Sequence, residues 1–164
     1  MKYNRLQLIS ELKKHEGIVL HVYKDILGID TIGIGRNLQD RGILEEEFET
    51  MSVSSMEEIY ENGISEGDAI YLATNDIAIV EDELLKRHPC VENLDPVRQM
   101  VLVDMAFNMG VPRLCGFKRM WRNIHENLFH AASIEMLDSK WANQVKSRAT
   151  KLAERMCVGT KTDW

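Results

Sequence analysis

The 164-residue sequence predicts an α+β, mostly helical fold. Three observations carry this reading. Apolar residues follow a helical spacing over the first sixteen positions, then give way after Gly17 to short runs rich in β-branched residues. A segment from Ser65 to about Arg87 reads as one long helix. From Asp95 onward every segment is helical in character.

Tyr3, Leu6, Leu8, Ile9 and Leu12 lie near helical spacing, so residues 3–16 are expected to form a helix that Gly17 ends. Residues 18–24 (IVLHVYK) and 31–35 (TIGIG) then flank the loop DILGID, a hairpin signal in which Gly28 supplies the turn conformation. RNLQDRG follows as another turn. Residues 44–62 are acidic and poorly periodic, which suggests short helix and loop. Ser65 with Asp68 three positions on makes a variant capping box. The helix it opens runs to about Arg87, ahead of Pro89, and spans about 33 Å. Asp95 and Pro96 make an N-cap and first-turn pair. VRQMVLVDMAFNM is nearly apolar all round and reads as a central buried helix, ended by Gly110. Helices are expected at about 116–127, 129–143 and 145–157, with Gly159 closing the last. This divides the chain into a sheet-bearing lobe (about 14–64), a bridging helix (about 65–88) and a helical lobe (1–13 and 89–164).

Hydrophobic residues make up 45% and charged residues 28%, enough for a real core. The net charge of −6 argues against a nucleic-acid binder that works by neutralising phosphates. Cys90, Cys115 and Cys157 cannot all pair and lack zinc-site spacing, so they read as reduced thiols of a protein made in the cytoplasm. No run of 18 apolar residues is present, and MKYNRLQLISELKKHEG has no signal-peptide apolar stretch. The five histidines fall in no ligand motif. His88 and Cys90 in RHPC fit a loop beside Pro89 better than a metal site.

The chemistry concentrates in HEGIVLHVYKDILGIDTIGIG. Glu16 ends a helix, where the dipole is unfavourable to an anion, and partial burial would add to that; both favour the protonated acid. Asp25 and Thr31 lie symmetrically about Gly28, and a turn centred there would make them face each other. A protonated carboxyl, a carboxylate and a hydroxyl are the parts of a glycosidase site. The same spacing also suits a solvated helix end and a turn-forming Asp.

The combined stretch resembles the phage-type lysozymes, the endolysin family known as glycoside hydrolase family 24. LDPVRQMVLVDMAFNMG, Gly116–Phe117, SKWANQ at 139–144 and Arg148 extend the likeness over almost the whole chain. The resemblance implies a lysozyme-like two-lobed fold, with a small antiparallel sheet in the N-terminal lobe and a helical C-terminal lobe joined by a long helix. It implies a muramidase with Glu16, Asp25 and Thr31 as its catalytic triad. Glu16 would protonate the oxygen between N-acetylmuramic acid and N-acetylglucosamine. Asp25 and Thr31 would hold the attacking water in an inverting hydrolysis, with direct attack by Asp25 as the alternative. Asn37, Phe107 and Asn108 would bind substrate; Phe107 reads equally well as core. Trp141 is expected to pack the second lobe.

Arg148 would pair with Glu16 and oppose the dipole and burial effects, leaving the sign of the net shift open; a plain surface arginine is the other reading. Many relatives have His after GIG where this chain has Arg36, so an Arg36–Asp76 pair is expected, without the pH sensitivity of a histidine. Met120 and Glu135 stand where relatives have small polar groups contacting sugar. No cofactor and no metal are expected. The expected partner is peptidoglycan, with no nucleic acid, no membrane insertion and a monomeric state. The likeness also implies accumulation in a host cytoplasm and action on the wall after release by a separate hole-forming protein. Two other functions remain open at this point. One is a non-catalytic wall- or protein-binding module on the same fold. The other is an acidic interaction protein built on the runs at 45–49 and 57–61.

Overall fold

The computed structural model describes residues 1–160 and shows an α+β fold of predominantly helical character with one small antiparallel sheet. Residues 161–164, the end of the expected helical lobe, lie outside the described residues. The chain divides into two compact units: Arg5–Ala78, and Met1–Asn4 together with the chain from Ile79 onward.

The first unit opens with α1 (Arg5–Glu16), which buries Leu8, Ile9 and Leu12. The Gly17 amide donates to the Lys13 carbonyl at 3.1 Å with φ at +76°, so the helix stops where a left-handed residue is available. Three strands follow, β1 (Val19–Lys24), β2 (Asp30–Gly33) and β3 (Arg36–Asn37), paired antiparallel in that order. The third strand falls inside the segment expected to be only a turn. It is two residues long, too short for any period-2 pattern to show.

The acidic stretch resolves into two short helices, α2 (Glu45–Phe48) and α3 (Met56–Asn62), the latter capped by the Ser55 side chain. α4 (Glu66–Arg87) begins at the expected box: Ser65 Oγ accepts from the Asp68 amide at 3.0 Å, and Asp68 Oδ2 accepts from the Ser65 amide at 3.0 Å. Asp68 also accepts from Ser52 through its amide at 2.9 Å and its hydroxyl, so one carboxylate ties the approach of the chain to the helix start. The core of this unit gathers Ile32, Leu38, Met51, Val53, Ile59, Ile64, Ala69 and Leu72, with Leu20 and Val22 of β1 packed against it. The unit boundary falls within α4, between Ala78 and Ile79.

The second unit is helical. A 3-10 turn at Pro89–Asn93 precedes α5 (Pro96–Met109), whose N-cap Asp95 accepts from the amides of Val97 and Arg98. Every residue from Gln99 to Ala106 is buried, as its apolar composition implies. α6 (Val111–Cys115), α7 (Lys118–His125), α8 (Phe129–Leu137), α9 (Lys140–Val145) and α10 (Ser147–Val158) complete it. α8 packs against α7 and α10, and α10 against α5. The helix expected over 129–143 is two helices. Ser139 breaks it, its hydroxyl accepting from the Ala142 amide at 3.0 Å as the N-cap of α9.

Candidate active site

The β1–β2 hairpin is built around Asp25. The Gly28 amide donates to the Asp25 carbonyl at 2.9 Å, Gly28 has φ +77°, and the Asp25 amide donates to Ile29 at 3.0 Å. Those features define a three-residue loop whose last member is a left-handed glycine. The loop is therefore Ile26–Gly28, and its centre is Leu27 rather than Gly28. The register moves accordingly: Thr31 pairs with Tyr23 and Asp30 with Lys24. Asp25 and Thr31 are thus diagonal neighbours on one face instead of directly opposed.

They remain mechanically linked. Asp25 Oδ1 accepts from the amides of Leu27 at 2.8 Å and Ile29 at 3.0 Å, and the Thr31 hydroxyl donates to the Ile29 carbonyl at 3.1 Å. One residue, Ile29, fixes both functional side chains. Thr31 also pairs with Asn37 on β3, which brings Asn37 alongside the same row. The Asn37 side-chain oxygen is occupied in the turn that follows, accepting from the amides of Gln39 and Asp40.

Glu16 is the last residue of α1 and is exposed, so the burial expected of it is not found. Its neighbourhood is defined by Tyr23. Burial pushes the Tyr23 phenol above its ordinary value, and the Asp25 and Glu16 carboxylates push it the same way. The two acids therefore act on one side chain that is itself paired with Thr31.

Behind the sheet, Arg36 is 2% exposed and bonds Asp76 through Nε at 3.0 Å, the pairing expected from sequence. Its second carboxylate was not foreseen. Glu47 takes both guanidinium arms, at 2.9 and 2.8 Å, and is itself 2% exposed. The acidic run 45–49 is thus not wholly a solvated face: Glu45, Glu46 and Glu49 are exposed while Glu47 turns inward. Burial alone would raise the Glu47 carboxyl, but bonds from Arg36, Asn75 and the Leu44 amide outweigh it and hold the group at about 2. Arg41 adds a further cation, 2.7 Å from Asp76.

The other candidates sit in the second unit. Phe107 and Asn108 are half-buried at the end of α5. Asn108 Oδ1 accepts from Trp141 Nε1 at 2.9 Å, and Trp141, 2% exposed, meets Phe117 edge-on, so this indole packs the unit. Arg148 is not a surface residue. It is 5% exposed and bonds Asp104 on α5 at 2.9 Å. A concavity of about 490 Å³ is lined by Phe117, Met120, Glu135, Ser139 and Trp141 among others. Met120 itself is fully buried beneath it.

Among the described residues, no group of three His, Cys, Asp or Glu side chains could hold a metal, and no helix is long and apolar enough to cross a membrane. Cys90, Cys115 and Cys157 are free thiols.

Comparison with known proteins places this architecture. Residues 13–156 match the phage lysozyme family, and the chain belongs to that family. It is 32% identical over 162 residues to the probable T4-type lysozyme 2 of Dictyostelium discoideum, covering 93% of this chain and 95% of that protein. The probable T4-type lysozyme 1 of the same organism is 29% identical over 158 residues, covering 91% and 92%. The pre-baseplate central spike protein Gp5 of Enterobacteria phage T4 is 28% identical over 162 residues, which span 94% of this chain and 28% of the spike protein.

Sequence reasoning missed Tyr23 and Glu47. Tyr23 had a signal: if Leu20 and Val22 point inward, strand alternation puts Tyr23 on the face of Asp25. Glu47 had none, since nothing in LEEEF tells one glutamate from the next.

Proposed function

We propose that this chain is a peptidoglycan hydrolase that cleaves the β-1,4 bond between N-acetylmuramic acid and N-acetylglucosamine. The observation that carries the reading is the coupling of the two acids around the hairpin. Asp25 is locked by two backbone amides, Thr31 is tied to the same residue, and Glu16 shares Tyr23 with Asp25. Membership of the phage lysozyme family supports it.

In this mechanism Glu16 is the general acid that protonates the glycosidic oxygen as the bond breaks. Asp25 is the carboxylate that stabilises positive charge on the sugar ring. Its Oδ1 accepts from two backbone amides, which orient the carboxylate, and Oδ2 is the oxygen assigned to the reaction. Thr31 and Asp25 hold the water that attacks from the opposite side, giving inversion. Asn37, on the same row as Thr31, and Phe107 and Asn108 complete the substrate contacts, with Arg148, Arg36 and Asp76 in support. Arg148 acts through its partner Asp104, and Trp141 Nε1 fixes the orientation of the Asn108 amide. The biological setting proposed with this activity is lysis of a bacterial host by a phage, the enzyme reaching the wall from the cytoplasm through a separate hole-forming protein.

The test is product analysis on purified peptidoglycan. The reading expects soluble fragments whose new reducing ends are N-acetylmuramic acid, released first with the inverted anomeric configuration. Reducing ends on N-acetylglucosamine would contradict the bond assignment. Retention of configuration would replace water attack with direct attack by Asp25. Wall binding without any new reducing end would leave a binding module instead of an enzyme.

A further inference from the structure

Tyr23 has no role in the mechanism above, yet it stands at the centre of the residues that do. It pairs with Thr31, which pairs with Asn37, so the three form one row across the sheet. Asp25 lies two positions on, just past the end of β1, where its amide still pairs with the Ile29 carbonyl, so it continues the same face. Leu20 and Val22, the alternate residues, pack inward with Ile32. The ring is half-buried, so part of it is open to solvent. Its hydroxyl makes no hydrogen bond among the described residues, whereas Tyr3 and Tyr60 donate to Glu81 and Asp30. Burial and the two carboxylates keep the phenol protonated, so it is available as a neutral donor in an anionic setting.

A flat apolar ring with an unspent O–H beside two acids suits a neutral ligand that offers an apolar face and an acceptor. N-acetylated sugars present both: the C–H face of the pyranose and the acetamido carbonyl. We propose that Tyr23 is a substrate-binding residue, its ring packing against a bound N-acetylated sugar and its hydroxyl donating to that sugar's acetamido oxygen. The inference rests on the peptidoglycan reading and adds a residue to it.

Tyr23→Phe removes the hydroxyl and keeps the ring. One net hydrogen bond corresponds to about a fivefold to tenfold change in affinity. On soluble peptidoglycan fragments the variant should raise KM by that factor and leave kcat and the melting temperature unchanged. Tyr23→Leu should raise KM further. An unchanged KM in Tyr23→Phe overturns the proposal. So does a fall in kcat at unchanged KM, because the hydroxyl would then act through Asp25. Calorimetric titration of the same fragments into Glu16→Gln, with and without Tyr23→Phe, reads the contact without turnover. Weaker binding by the double variant supports the contact, and equal binding overturns it. Absence of turnover by the wild type would sink the hydrolase reading while this binding comparison still decides the role of Tyr23.

Discussion

Arg36 shows how a single side chain organises the ground beneath the hairpin. A guanidinium has five N–H donors in a fixed fork, and here all five find acceptors: Asp76, two oxygens of Glu47, and the carbonyls of Gly42 and Leu72. An imidazole has too few donors for this set, and an ammonium cannot match the fork. Removing the guanidinium takes the cation from the buried Glu47 and leaves Asp76 with Arg41 alone of its two. Arg36→Met should therefore destabilise the protein by about 3–5 kcal/mol, read as a lower urea midpoint at unchanged slope. Arg36→Lys should recover only part of that loss. A variant as stable as the wild type would show that the network carries no net stability.

At the scale of elements, the sequence displayed the strong signals and concealed the weak ones. The Ser65–Asp68 box, the Asp95–Pro96 start and the apolar run of α5 rest on local chemistry, and each element forms where that chemistry puts it. The hairpin was legible but its register was not. Gly28 identifies a left-handed residue without saying whether it is the centre or the end of the loop, and one position changes the partner of Thr31 from Asp25 to Tyr23. β3 and the break at Ser139 depend on tertiary pairing and on a cap within an otherwise helical pattern. Gly63 gives a sharp test at this scale. It ends α3 with φ +77°, and an added Cβ would lie 2.3 Å from the Leu20 carbonyl oxygen, which also accepts from the Ile64 amide. Gly63→Ala combines backbone strain with a clash against β1, so it should cost roughly 2–4 kcal/mol and lower the melting temperature. Unchanged stability would mean that the α3–β1 junction yields more readily than its geometry implies.

For the molecule as a whole, charge sets two expectations. The first concerns acid. Glu47 titrates at about 2 in the folded chain, below the ordinary 4.5, so its contribution to stability is complete above about pH 4.5 and is lost as pH falls toward 2. Unfolding free energy should therefore fall across that window, and Glu47→Gln should be less stable at neutral pH with a shallower acid slope. Equal acid slopes would place the sensitivity elsewhere. The second concerns the wall. The chain carries a net charge of −6, and bacterial wall polymers are anionic, so the long-range interaction is repulsive. Salt screens it, and initial lysis rates should rise as ionic strength increases from about 10 to about 100 mM. A basic enzyme would show the opposite trend. A falling rate here would point to a local cationic surface overriding the net charge.

The most direct measurement compares wild type with Glu16→Gln for release of reducing ends from purified peptidoglycan, with circular dichroism confirming that both are folded. Loss of the proton donor should reduce the rate by at least about 10²-fold while wall binding persists. Equal release by the two proteins would contradict the assignment of Glu16 as the acid and, with it, the proposed mechanism.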